Sequence, residues 1–391
     1  MKSFKMNSLQ RLISFILIAV LLLCTVGFAA GGWQSPSTNE PDSGDIGDKT
    51  DETDENKDGT TPPDNNVTTP PSNEDNIPQL KPDDTPTHTP PIEDITKHYN
   101  KITGLEIKEE EVNSTPLGFV LNPLMPLYGI SNSDITFEFP IEDGSTRLLS
   151  YTTNKTLLWK VGSLAPTRAF ISLTSNFFGG VVISYGNDDV VKYSAWDSSK
   201  IELDVSKISE CYYIENTLYI YTSKDLVDIA MAKTPSVEKT PYKSSPYLFN
   251  ETDDIIKGTV EANTVALPFS DISKTELYYS ETSGEYLYFK SGSRKIDMLS
   301  GKNISFTNVF VLFANATTYE KADGTELVID TLSGGTGYYI SKGFATEIRW
   351  NIDENGNLQF KTLSGEKLTV NRGNAYIGYY KASNSSKITF S

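Results

Sequence analysis

Apolar and polar positions alternate through Ile135, Phe137, Phe139 and Ile141, with Thr136, Glu138, Pro140 and Glu142 between them. Successive strand side chains point to opposite faces, so alternation over this length predicts a half-buried strand. Asp143-Gly144 follows, a pair suited to a two-residue type I′ turn because both positions need positive φ. A second strand is expected from Ser145 to Thr152. In that register Glu142 faces Ser145, Pro140 faces Arg147 and Glu138 faces Leu149. Glu138 and Arg147 then share one face on a diagonal that long side chains can bridge. Two readings follow. One is a cross-strand ion pair on a solvated face. The other is a ligand-binding hairpin built from Glu138, Glu142, Thr146 and Arg147.

The flanking pattern changes along the chain. Leu117–Asn122 and Val181–Ser184 are continuous apolar runs, as in strands buried on both faces. Leu157–Val161 reads as another short strand. Pro166 stands at a first helical position, with Arg168, Ala169, Phe170, Leu173 and Phe177 at helical spacing and Gly179-Gly180 as the stop. A cation in the first helical turn opposes the helix dipole, so Arg168 calls for a carboxylate, Glu138 or Glu142, or a bound anion. Lys224–Ala232 reads as a second helix. Residues 99–245 are therefore expected as a mixed α/β-sheet domain.

After a linker the pattern is almost wholly β. Strands are expected at Thr264–Pro268, Glu276–Tyr279, Glu285–Lys290, Val309–Phe313, Leu327–Asp330, Gly337–Ser341, Glu347–Ile352, Leu358–Thr362, Lys367–Val370 and Ala375–Tyr380, with Gly-containing turns between them. Residues 255–385 are expected as a mostly antiparallel β domain, a small barrel or sandwich. The fold class is α+β. Asp353-Glu354-Asn355-Gly356-Asn357 reads as a hairpin turn rather than a metal loop.

The N-terminus departs from both patterns. Lys2, Lys5 and Arg11 precede an apolar run over residues 12–30, so residues 1–30 read as a signal peptide or membrane anchor. Cys24 suggests lipidation, but Leu23 stands where a lipoprotein signal needs a small residue. Residues 31–98 are rich in Pro, Thr, Asp and Asn. About 16 acidic and about 4 basic side chains place roughly −12 of the chain's −17 there, a composition expected to stay disordered. It reads as a spacer that holds the folded part off a membrane or through a wall. Its acidity argues against nucleic acid as a partner. Asp54-Glu55-Asn56-Lys57-Asp58-Gly59 opens like a calcium loop, but Asn65 stands at the twelfth position where a bidentate Glu belongs.

The residue inventory excludes much chemistry. The chain has 2 histidines, His88 and His98, both in the spacer or at its edge. Ser-His-Asp and Cys-His catalysis and histidine-based zinc sites are therefore not expected in the folded part. No phosphate-binding loop or dinucleotide fingerprint is present. No cofactor and no metal is predicted. Cys211 is expected as a buried small hydrophobe without a disulfide partner in the exported chain. Only carboxylate chemistry remains, with Glu138 and Glu142 as an acid/base pair of the kind that cleaves glycosides.

The hairpin D-I-x-[YF]-E-x-x-[VI]-E-x-G-x-T-R, carried by Asp134, Ile135, Phe137, Glu138, Ile141, Glu142, Gly144, Thr146 and Arg147, resembles the central motif of the YerB family of bacterial lipoproteins. The likeness continues in order through VGSLAPTRAF, VVISYGN, IENTLYIYTS, KID, TNVFV, GTGYYISKG and EKLTVNRGNAYIGYY, over most of residues 116–380. The family carries a paired domain of unknown function. The resemblance implies that Asp297 and Asn308 face an interdomain cleft. The chain departs from the family at Ala165 and Pro166, leaving Arg168 alone of an Arg-Ser-x-Arg ending. It departs again at Ser184 and Asn216, where the family usually has histidines. Any chemistry of those histidines is absent here. The resulting expectation is an exported, membrane- or wall-associated, non-catalytic binding or scaffold protein of the bacterial cell envelope. Its partner would be a peptidoglycan component or an envelope protein, with membrane contact through the N-terminal segment only. The alternative is a carboxylate-dependent enzyme acting on wall glycan or peptide.

Overall fold

The computed structural model describes residues 97–156, 158–187, 200–254, 260–321 and 324–391. The expected signal or anchor, the Asp54–Gly59 motif and the expected spacer up to residue 96 lie outside the described residues, while at the spacer's expected end His98–Tyr99 already pairs with Glu106–Ile107. Thirteen strands carry the architecture: β1 (Leu117–Leu121), β2 (Ile135–Pro140), β3 (Thr146–Thr152), β4 (Val181–Ser184), β5 (Glu202–Asp204), β6 (Thr264–Pro268), β7 (Lys274–Ser280), β8 (Glu285–Lys290), β9 (Asn308–Ala314), β10 (Gly335–Ser341), β11 (Phe344–Ile352), β12 (Leu358–Thr362) and β13 (Ala375–Lys381). Ten of them, with the short Val260–Glu261, form an 11-stranded sheet in the order Val260–Glu261, β11, β10, β9, β13, β2, β3, β1, β4, β5, with β12 also on β11.

Strand β13 is the hinge of this arrangement. It lies parallel to β9 on one side, through Asn308↔Ala375, and parallel to β2 on the other, through Ile135↔Ala375. The last long strand of the chain thus joins the stretches at 99–245 and 255–385 into one sheet. Both of its faces are covered. Ile377 and Tyr379 enter one apolar core with Phe137, Phe139, Phe310 and Trp350, while Tyr376 and Tyr380 enter a second core with Val265, Leu277 and Tyr288. Burial on both faces is why β9 reads as an unbroken apolar run, NVFVLFA, rather than an alternating one.

The second core is closed by another sheet. Strands β6, β7 and β8 pair antiparallel, with Thr389–Phe390 on β6 and Ser293–Arg294 and Ser305–Phe306 on β8. This sheet packs over the centre of the large one. The chain is an α+β fold with a β-rich C-terminal part, and among the described residues no sheet closes into a barrel.

The helices are few. The single helix expected after Pro166 is two short pieces, α1 (Ala169–Ser172) and α2 (Thr174–Phe178), whose Phe170, Ile171, Phe177 and Phe178 join the first core. Arg168 is the N-cap of α1 in extended backbone, one step outside the first turn. Gly179 stops α2 at φ 84, and a Cβ there would meet the Pro241 carbonyl oxygen at 2.2 Å. Helix α3 (Lys224–Lys233) starts where Ser223 Oγ accepts from Leu226 N at 3.3 Å, and buries Val227, Ala230 and Met231.

Two local expectations change. The ribbon of Ala316–Lys321 and Gly324–Ile329 extends well beyond the strand expected at Leu327–Asp330. Residues 316–320 are all exposed, so they carry no alternation to read. Of the strand expected at Leu157–Val161, Leu157 lies outside the described residues, and of Leu158–Val161 only Val161 joins a strand, Val161–Gly162, which pairs with Thr222 and Tyr221. Cys211 is buried, as expected.

Candidate functional site

The hairpin forms, but its register is one residue off the two-residue expectation. Pro140 pairs with Thr146, Phe139 with Arg147 and Glu138 with Leu148. The ladder closes at Ile141 N to Ser145 O, 3.0 Å, around a three-residue loop, Glu142-Asp143-Gly144. Asp143 Oδ1 accepts from Ser145 N at 2.8 Å, and Gly144 takes the left-handed position at φ 81. A side-chain-closed turn ending in a left-handed glycine is the usual three-residue alternative to type I′. A one-residue slip moves side chains to the opposite face. Glu138 and Arg147 therefore lie on opposite faces, and the expected diagonal pair does not form.

The face that carries Glu138 is not solvated either. It lies under β7 and β8, and the Glu138 side chain is 0% exposed. Lys290 Nζ, also 0% exposed, donates to Oε1 at 2.7 Å. Four hydroxyls complete the shell: Thr146 at 2.6 Å, Thr275 at 3.0 and 2.9 Å, Tyr288 at 3.2 Å and Tyr376 at 2.7 Å. Each partner arrives by strand periodicity. Tyr288 and Lys290 are two apart on β8, Thr275 is beside Lys290 on β7, and Tyr376 and Thr146 stand on the strands flanking β2. Burial alone would raise the Glu138 pKa. The Lys290 charge and the hydrogen bonds from Lys290, Thr146 and Tyr376 outweigh it and hold the carboxyl below its ordinary value. The Tyr288 and Tyr376 hydroxyls are pushed well up, by burial first and then by the carboxylate they serve. The result is an ionised, saturated carboxylate sealed between two sheets.

Glu142 leaves the same hairpin at its tip and forms an ion pair with Arg168, whose Nε also reaches Oε2 at 3.3 Å. Arg168 Nη1 donates to its neighbour Thr167 O at 2.8 Å. Burial opposes ionisation of Glu142, but the Arg168 hydrogen bond and charge carry its pKa below the ordinary value. Of the two carboxylates open to Arg168 from sequence, Glu142 is the partner. Arg147, half-buried on the other face, donates to Ser145 Oγ at 3.3 Å and Thr146 O at 3.1 Å.

Asp297 and Asn308 are buried and used internally. Asp297 accepts from Gly129 N at 3.0 Å, Ser131 N at 2.8 Å and Leu299 N at 2.9 Å, tying the 127–131 connection to the loop after β8. Asn308 donates to Asn371 O at 2.8 Å and accepts from Tyr339 OH at 2.8 Å. Neither faces a cleft. The seven residues singled out from sequence thus fall into separate groups: Glu138 with Thr146, Glu142 with Arg168, Arg147 across the sheet, Asp297 and Asn308 elsewhere. Asn216 sits in a turn at φ 52, a conformation asparagine tolerates.

Sequence reasoning missed Lys290, Thr275, Tyr288 and Tyr376. One signal was available: in EYLYFK, Lys290 shares the inward period with Tyr286 and Tyr288, so a cation on that face must be paired. Asp134, at the other end of β2, enters the sequence reading only as the first residue of the hairpin motif and not as a candidate site residue. Asp134 Oδ2 accepts from Thr153 N at 2.7 Å, Thr153 Oγ1 at 2.9 Å and Tyr242 OH at 3.0 Å. Burial raises its pKa despite those bonds. Its folded-state pKa therefore lies above that of the unfolded chain. The stability it contributes is full at low pH and is lost as pH rises through the folded value. Asp134→Asn keeps an oxygen for the same donors and removes the charge. Chemical denaturation across pH is expected to show a flatter profile and equal or higher stability at neutral pH. A less stable variant at neutral pH would contradict this.

Asp134 lies at the edge of a polar cleft of about 520 Å3, bordered by the Asn100–Glu111 segment, the loops at 131–134 and 153–154, and Arg372–Asn374. Among the described residues no group of acidic, histidine or cysteine side chains is arranged to hold a metal, and no helix is long and apolar enough to cross a membrane.

Residues 265–377 match the family model for the C-terminal domain of a protein of unknown function, DUF3048. The fold is similar to the crystal structure of the YerB protein from Bacillus subtilis, with a TM-score of 0.65 and 20% sequence identity, over 75% of this chain and 100% of that one. No curated protein matches the chain.

Proposed function

For a YerB-like chain with a DUF3048 C-terminal domain, we propose a non-catalytic binding or scaffold role at the outer face of the cytoplasmic membrane or in the cell wall. The basic start and apolar run of residues 12–30 and the acidic spacer support export. Peptidoglycan or an envelope protein is the partner, and the N-terminal segment is the only membrane contact. The observation that carries the reading is the state of the hairpin carboxylates. A glycoside-cleaving pair needs two carboxyls open to one bond, one of them with a raised pKa. Glu138 is sealed and held below its ordinary value, and Glu142 is held by Arg168. The competing reading, a carboxylate enzyme on wall glycan or peptide with Glu138 and Glu142 as its pair, draws no support from these two carboxyls.

The full chain incubated with purified wall sacculi tests this. Sedimentation with the sacculi, with no soluble fragments accumulating over time, is the expected result. Time-dependent release that stops in Glu142→Gln or Glu138→Gln would establish the enzyme instead. A chain that stays in the supernatant would remove the wall as its partner.

A further inference from the structure

One sheet edge turns both its backbone groups and its apolar side chains outward. Val161–Gly162, Tyr219–Thr222 and Tyr213–Glu215 form a three-stranded sheet in that order, with Tyr213–Glu215 at the edge. All three edge residues are exposed, Ile214 at 52%. Ile214 stands opposite Ile220, whose carbonyl is turned the other way and accepts from Leu164 N at 2.7 Å. In an antiparallel ladder such a pair exchanges no hydrogen bonds, so the Ile214 N–H and C=O point out of the sheet. Among the described residues no strand lies against them.

An open edge is a template for another strand, and proteins commonly blunt it with lysine, proline or an unpaired charge. Tyr213-Ile214-Glu215 contains no lysine or proline, and its one charge is neutralised. Lys160 Nζ pairs with Glu215 at 2.8 Å and lies 4.2 and 4.1 Å from the Tyr128 and Tyr221 ring centres. Tyr213 packs on Tyr221, with ring centres 5.5 Å apart. The edge is therefore held in shape before anything docks on it. Leu218, in the turn of the same hairpin, and Trp159, next to Lys160 in sequence, are 67% and 65% exposed. Large apolar side chains exposed around a neutralised charge have the composition of an association surface.

We propose that two copies of this chain associate by antiparallel pairing of their Tyr213–Glu215 edges, which makes one six-stranded sheet. The edge is self-complementary. A two-fold axis beside Ile214 sets the two Ile214 residues opposite each other, and each outward N–H then meets the other copy's C=O. The two isoleucine side chains meet on one face. On the other, Tyr213 stands opposite the second copy's Glu215, a phenol beside a carboxylate. Charge favours the same place. The chain carries −17, so two copies repel over most of their surface, and least where Lys160 cancels Glu215. The strand is short, so the dimer is a weak one, with a Kd on the order of 10–100 μM. This association is independent of the wall-binding reading.

Sedimentation equilibrium of the full chain over about 1–300 μM, with hydrogen exchange at the two ends of that range, tests the proposal. A monomer–dimer equilibrium is expected, and the Ile214 amide gains protection as concentration rises. Added salt leaves the dimer as tight or tighter, because it screens the repulsion between two like-charged copies. Ile214→Pro removes the outward N–H and spares the ladder to Tyr219–Thr222, in which that N–H takes no part. Ile214→Lys places two ammonium groups across the axis. Each variant weakens dimerisation at least about tenfold with an unchanged thermal midpoint. If Ile214→Pro shifts that midpoint, Ile214→Lys alone decides. A chain that stays monomeric throughout overturns the proposal. So does an Ile214 amide equally exposed at both concentrations. Dimers that persist in Ile214→Lys would place the contact on another surface, the apolar run of residues 12–30 included, and overturn it as well.

Discussion

Lys290→Ala is expected to destabilise the fold by about 3–5 kcal/mol, the range for removing one partner of a buried ion pair. Two effects combine. Glu138 keeps its negative charge between two sheets with no countercharge, and the four hydroxyls around it do not replace that charge. The pH dependence should also change sign. In the wild type, the Glu138 pKa lies below its unfolded value, so its stabilisation is present above the unfolded pKa and fades as pH falls through the folded one. Without Lys290, burial dominates and the carboxyl pKa rises. The variant then gains relative stability on acidification where the wild type loses it. Replacing both members, Glu138→Leu with Lys290→Met, should cost less than Lys290→Ala alone, because no charge is left buried. Denaturant unfolding of the three proteins at neutral and mildly acidic pH measures all of this. A Lys290→Ala loss below about 1 kcal/mol, the scale of an exposed pair, would show that the pair is solvated.

Asp297→Ala should produce the second large effect, about 3 kcal/mol. Three backbone N–H groups, of Gly129, Ser131 and Leu299, lose their acceptor at once. A buried unsatisfied donor costs about 1–3 kcal/mol, and two of these sites are partly reached by water, which moderates the sum. Asp297→Asn is the informative companion. Its oxygen can still accept from Gly129 and Leu299, but its amide faces the Ser131 N–H, donor to donor. It should fall between wild type and Ala. Hydrogen exchange at Gly129 and Ser131 gives a local readout, and unchanged protection of those amides in Asp297→Ala would contradict the assignment.

The sequence carried the strands well where one period governed them. Thr264–Pro268, Glu285–Lys290 and Leu358–Thr362 have the expected bounds. What it could not carry was partnership across distance. Nothing local in Ala375–Tyr380 says that this strand enters between β9 and β2, more than 200 residues from β2 in sequence. Glu138 on a polar-alternating strand looks solvated until β7 and β8 are laid over it. The turn held the other limit. Asp143-Gly144 serves two-residue and three-residue hairpins alike, and the choice between them decided whether Glu138 could meet Arg147. Arg168 does pair with a carboxylate, Glu142, but it stands at the N-cap of a four-residue helix, outside the first turn, so its burial rather than the helix dipole calls for the partner.

These contacts converge on one claim: the hairpin carboxylates hold the fold together and leave recognition to surfaces elsewhere. The most direct test is a carboxyl-carbon NMR titration of Glu138 in the intact chain. The account predicts a resonance that stays in its ionised position down through the ordinary glutamate range, near pH 4.3, and does not move when sacculi fragments are added. A midpoint raised towards neutral pH, where a general acid works, or a shift on ligand addition, would place Glu138 in chemistry and contradict it.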